Sequence, residues 1–134
     1  NPSLVGSEMC IRDSFKNNRG KNLYEFWKED LTSNLNKTLK NHKNPTIVNC
    51  ASVEYFSAID LNKFNGKILS VVFKEYRNDE LKFISFNAKK ARGLMTQFII
   101  KNKINSNKDI KDFDYDNYNF DSKLSDDSTF VFTR

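Results

Sequence analysis

Apolar positions alternate between helical and strand-like spacing along this chain, and each change of spacing marks an element. Asn22 is followed three residues later by Glu25, the reciprocal arrangement that satisfies free backbone amides at a helix start. Leu23, Phe26, Trp27, Leu31, Leu35 and Leu39 then share one stripe. The stripe predicts an amphipathic helix over Asn22–Asn41 that ends before Asn44-Pro45, with Trp27 in the core rather than serving as a stacking platform. Thr46–Ala51 reads as a short buried strand, and Ser52-Val53-Glu54-Tyr55-Phe56 turns at its C-terminal edge into a brief helix. Lys67–Tyr76 is a second strand, and the turn residues Arg77-Asn78-Asp79-Glu80 fold it back onto a third over Leu81–Phe86.

That third strand leads into a helix over Asn87–Asn102, whose face of Ala91, Leu94, Met95, Phe98 and Ile99 is core. Lys89, Arg92, Gly93 and Thr96 share the opposite face, and Lys90 lies between. Cations in the first turn of a helix are locally unfavourable, because the free amide hydrogens there already carry partial positive charge. Either acidic side chains neutralise them, or the helix start receives an anion. Gly93 costs about 1 kcal/mol relative to alanine inside a helix. Its missing side chain admits another backbone or a ligand, unless it is simply a tolerated poor helix former.

Past residue 105 the chain turns acidic, with Phe113, Tyr115, Tyr118 and Phe120 interspersed among aspartates in a segment expected to lie at the periphery. Thr129–Phe132 closes as a final strand. Asp112, Asp114 and Asp116 have calcium-loop spacing, but Asn117 and Lys123 stand where that loop needs glycine and glutamate, which excludes it. The fold class is α+β: a mixed sheet of about four strands flanked by two main helices, part of a larger single domain.

Composition narrows the function. Residues 1–105 hold 18 Lys and Arg against 10 Asp and Glu, so the basic character of this +5 chain lies there and favours phosphate-bearing partners. An AT-rich coding sequence, which the abundance of Asn, Ile and Phe suggests, would inflate lysine too. Cys10 and Cys50 are neither a disulfide framework nor a metal motif, and His42, the only histidine, sits in a polar run. No metal site, no cofactor and no membrane partner is expected, and the localisation expected is cytoplasmic.

Residues 1–14 follow neither period, and Val5-Gly6-Ser7-Glu8-Met9-Cys10-Ile11-Arg12-Asp13-Ser14 resembles a translated sequencing adapter. The reading is a non-native tail on residues 15–134, with the natural gene continuing upstream. Three further runs carry a family resemblance: Arg19-Gly20-Lys21-Asn22-Leu23-Tyr24-Glu25-Phe26-Trp27, then Val48-Asn49-Cys50-Ala51-Ser52-Val53-Glu54-Tyr55-Phe56, then Ile84 through Met95. Together they resemble the C-terminal half of the YaaA family of peroxide stress resistance proteins. Cys50 stands where that family usually has an aliphatic residue, and Asn117 where a glycine precedes the tyrosine. The resemblance implies limitation of free-iron damage under peroxide, affinity for DNA through a basic cleft, and a missing N-terminal half as a partner.

Three readings of the site follow. In the first, Lys89, Lys90, Arg92 and Gly93 meet DNA phosphates irrespective of sequence, with Ser52, Glu54 and Tyr55 lining the crevice and Arg19 and Lys21 adding cations at the other helix start. In the second, the chain is an enzyme for a phosphorylated or anionic small molecule, with Glu54 or Tyr55 as acid or base. In the third, Lys89 and Arg92 pair with acids such as Glu54 and bind nothing. No residue is assigned a catalytic role in the first or third.

Overall fold

The computed structural model describes residues 16–18 and 20–134; the adapter-like stretch, Cys10 and Arg19 lie outside the described residues. The chain divides into two compact units, one combining the residues up to Pro45 with Val53–Gly66, the other combining Thr46–Ser52 with Lys67–Arg134.

The first unit is built on helix α1, Leu23–Leu39. Asn22 caps it by accepting from the Glu25 amide at 3.0 Å, and Glu25 reaches back to the amide of Lys21 at 2.7 Å, one residue beyond the expected target. Gly20 sits so close to this turn that a Cβ there would lie 2.8 Å from the Phe26 nitrogen. The expected burial of the apolar stripe is not observed: Trp27 is 53% exposed, and the buried residue of α1 is Thr32. Hydrogen bonding explains the reversal. The Thr32 hydroxyl accepts from the Asp60 amide at 2.9 Å, while Asn36 donates to the Lys63 carbonyl and accepts from the Asn65 amide. The polar side of α1 thus holds the backbone of the 57–66 loop through one part-buried and two exposed hydrogen bonds. A short helix α2, Val53–Phe56, precedes that loop.

The second unit carries the sheet, ordered β1 (Thr46–Asn49), β2 (Lys67–Arg77), β5 (Thr129–Thr133) and β4 (Asn119–Phe120), with β3 (Glu80–Lys82) also on β2. The β1, β2 and β5 strands run parallel; β3 and β4 are antiparallel to their neighbours. The sheet therefore has five strands rather than about four, because two-residue β4 is too short to show a period. Strand β1 stops at Asn49 rather than at Ala51, since the Asn49 side chain accepts from the Ala51 amide at 2.9 Å and turns the chain.

Period-2 burial along β2 sends Leu69, Val71, Phe73 and Glu75 inward. Parallel register sets Val71 beside Phe130 and Phe73 beside Phe132. Onto this layer packs helix α3, Ser85–Lys101, through Ala88, Ala91, Met95 and Phe98. Short helix α4, Asn107–Ile110, adds Ile110 to the same core. The acidic segment is not peripheral: Phe113 and Tyr118 are each 1% exposed, while Asp109, Asp112, Asp114 and Asp116 turn outward. The 3-10 turn Tyr115–Asn117 reaches the left-handed region at Asp116 and Asn117, residue types that tolerate it.

The β2–β3 hairpin forms as predicted, and its two central residues, Asn78 and Asp79, have φ of 52° and 63°. Positive φ at both positions is the type I′ turn, which favours Asn-Gly. Asp79→Gly is therefore expected to stabilise the chain by about 0.5–1 kcal/mol. The urea midpoint should rise at constant m-value; an unchanged midpoint would mean aspartate bears no strain there.

Candidate functional site

Strand β3 ends at Lys82, and α3 begins at Ser85, two residues earlier than the periodicity predicts. Phe83 and Phe86, expected inside a strand, are instead 56% and 78% exposed. The early start has a definite cause. Ala88 donates its amide to the Ile84 carbonyl at 2.8 Å, and the Asn87 side chain, a natural cap, instead donates to Glu75 Oε1 at 2.6 Å. No side chain caps α3 and no acid occupies its first turn.

The shift moves the cations. Lys89, Lys90 and Arg92 lie in the second turn, not the first, so their repulsion by the amide end is weaker than the sequence implied, since that field fades within a turn. Lys89 and Lys90 are exposed and Arg92 is half-buried. Among the described residues, no ion pair involves any of the three. Gly93 is exposed, and a Cβ there would meet nothing within 4 Å, so no described backbone makes use of its missing side chain.

Beside this face lies Cys50, just past the end of β1 and packed against the core. Burial pushes its thiol up, and only partial relief comes from a hydrogen bond with Thr96 and the positive charge of Arg92. Cys50 is thus a protonated, weakly nucleophilic thiol at neutral pH. The Thr96 hydroxyl also donates to the Arg92 carbonyl at 3.1 Å, which ties this turn of α3 together.

Other predicted site residues have different settings. Ser52 belongs to the sheet unit, immediately after the β1 segment. Glu54 and Tyr55 open α2 in the first unit, where Glu54 Oε1 accepts from the Tyr24 hydroxyl at 2.8 Å. Lys21 is exposed and holds Glu25 through its backbone amide. Within its own unit, Glu54 is therefore held by a phenol.

A second charged cluster, around Glu75, is one that motif reading missed. Glu75 is 5% exposed and its carboxylate meets Asn87 at 2.6 Å, Arg77 at 2.7 Å and Arg134 at 3.5 Å. Arg134 continues to Asp116 at 2.8 Å and lies over the Tyr118 ring at 4.6 Å. The Asn87 hydrogen bond, followed by the charges of Arg134 and Arg77, holds the Glu75 carboxyl below its ordinary range despite burial. Burial, in turn, raises the Tyr118 phenol. The signal was available: the alternation from Leu69 places Glu75 on the inner face. The cluster secures the start of α3 to β2 and so positions the basic turn. No group of three or more His, Cys, Asp or Glu among the described residues is arranged to hold a metal ion.

Comparison with known proteins adds the family. Residues 8–124 match the family model described as peroxide stress protein YaaA. The chain is similar to a UPF0246 protein of Saccharophagus degradans, 51% identical over 120 residues, covering 90% of this chain and 47% of that protein. A UPF0246 protein of Flavobacterium psychrophilum is 53% identical over 117 residues, 87% of this chain and 46% of the relative. One from Clostridium beijerinckii is 47% identical over 116 residues, 85% and 45% respectively. The chain spans about half the length of the curated relatives it matches.

Proposed function

Because the chain belongs to the YaaA family of peroxide stress proteins, we propose that it serves peroxide resistance by binding DNA through the basic turn of α3, limiting the damage that free iron causes there. The observation that carries this reading is the clustering of Lys89, Lys90 and Arg92 within four successive positions of α3, none of them in an ion pair among the described residues. Arg77 and Arg134, by comparison, pair with Glu75, Arg134 also with Asp116, and Lys82 with Glu80. Unpaired cations on successive positions of one helix are suited to phosphates, whose neutralisation releases counterions. Gly93 leaves open space between Lys89 and Thr96 for a sugar-phosphate strand to approach. Contacts of this kind position a duplex without reading its bases, so binding is independent of sequence. Protection then follows from occupancy of the DNA rather than from chelation.

The test is titration of a fluorescent duplex across a salt series with the chain and its Lys89→Ala/Arg92→Ala variant. Loss of two phosphate contacts should weaken binding roughly tenfold near 0.1 M salt and reduce the slope of log K against log salt by about 1.8. Equal affinity and slope would remove α3 as the DNA surface and leave the anionic small-molecule reading, for which nucleotides and phosphorylated metabolites are the ligands to screen by thermal stabilisation.

A further inference from the structure

Helix α1 spends Thr32 and Asn36 on the loop that follows α2, and among the described residues Trp27 and Leu31 of its apolar stripe stay exposed while Leu23, Phe26, Leu35 and Leu39 are half-buried. Trp27 is 53% exposed and Leu31 36%, and in the same unit Tyr55 is 53% exposed. Leu23, Trp27, Leu31, Tyr55 and Ala58 line a groove of about 590 Å³ in this unit. Single exposed apolar residues are ordinary, but a contiguous row including tryptophan and tyrosine marks a contact surface. It contrasts with the sheet face turned away from α3, where Ile47, Ile68 and Val72 are half-buried and Val131 is buried.

We propose that this groove seats the part of the family's polypeptide that lies outside the matched region. The length argument identifies the occupant. The match covers 47% of the Saccharophagus relative, so more than half of that protein's residues have to be accommodated by the matched half. Chains of that size bury a larger fraction of their surface than chains of this one. The α1–α2 groove is an apolar surface in this unit that can receive an apolar row from that half. Trp27 is its proposed anchor, and Tyr55 lines the same groove.

Trp27 is the only tryptophan, so it reports on its own occupancy. The chain is made with 5-fluorotryptophan and refolded from urea together with the separately made, unlabelled and tagged remainder of the Saccharophagus relative, and the complex is compared with the chain alone. The expected result is co-purification in equal amounts, a shifted fluorine resonance and loss of its solvent isotope effect. Trp27→Ala and Tyr55→Ala should each weaken the complex, the first by about 30-fold as befits a buried tryptophan anchor, whereas Lys89→Ala should not. Both positions are half-exposed in this chain, and retained circular dichroism separates loss of binding from loss of fold. Four results would overturn the proposal: no complex; a complex in which Trp27 keeps its free resonance; protection of Trp27 in the chain alone that grows with concentration alongside a dimer mass; or protection in the chain alone that disappears when residues 1–15 are deleted.

Discussion

Phe73→Ala is expected to lower the stability of the sheet unit by about 3–5 kcal/mol, the usual loss for a buried phenylalanine that leaves a cavity. Phe73 is 2% exposed. Its ring lies 5.1 Å from Tyr118, 5.4 Å from Phe132 and 5.7 Å from Phe113, so one truncation removes a wall from three neighbours. Phe113 in turn touches Phe98 on α3 at 5.5 Å, which links the cavity to the helix that bears the cations. Urea unfolding followed by near-ultraviolet circular dichroism of the tyrosines measures the effect. Trp27 emission reports separately on the first unit. Phe86→Ala is the matched control: at 78% exposure it should change stability by no more than about 0.5 kcal/mol. A Phe73 loss as small as the control's would mean that the aromatic cluster is not the core of this unit.

Glu75→Gln should rank second, costing about 2–3 kcal/mol at neutral pH. The amide keeps an acceptor for Asn87 but removes the charge that Arg134 and Arg77 face. Arg77 is 56% exposed along its side chain, so solvent screens its share and most of the loss comes from the less exposed Arg134, which loses its carboxylate partner. The pH dependence has a fixed sign. Glu75 has a folded-state pKa below its unfolded one, so its contribution is complete above the unfolded value and is lost as pH falls through the folded value. Wild type and Glu75→Gln should therefore converge in stability on acidification and differ most near neutrality. A difference that stayed constant from neutral pH down through the carboxylate range would show that the charge of Glu75 contributes nothing. The same variant should also loosen the start of α3, read as faster amide exchange at Asn87 and Ala88.

Legibility in the sequence varied with the range of the interaction. The Asn22–Glu25 cap, the Asn78-Asp79 turn and the Ala91–Met95–Phe98 stripe each depend on residues within about four positions, and all three formed. Lys89, Lys90, Arg92 and Gly93 stand out from the same local pattern; on α3, Lys89, Lys90 and Gly93 are exposed and Arg92 is half-buried. Their place in the helix was misjudged by half a turn. Asn87 looked like a residue near the helix start, but its side chain is taken by Glu75, twelve positions earlier. Trp27 was assigned to the core from its apolar neighbours, and the Thr32 and Asn36 hydrogen bonds to a loop about 28 residues away turned the other face inward. Phe113 and Tyr118 were assigned to the periphery because their segment is acidic, whereas each ring is buried independently of the aspartates beside it.

The sequence by itself determined the main elements though not β4 or α4, the hairpin, the family and the identity of the basic residues on α3, because capping, turn geometry and side-chain period are settled between near neighbours. Tertiary structure alone decided which polar groups are satisfied by which. Glu75 and Arg134 stand 59 residues apart, and their pairing exists only because β2 and β5 lie side by side. It also decided which cations are left without acids, and which face of α1 stays exposed. A buried donor or carboxylate takes the partner that the fold brings within hydrogen-bond reach, and no local pattern reveals which partner that is.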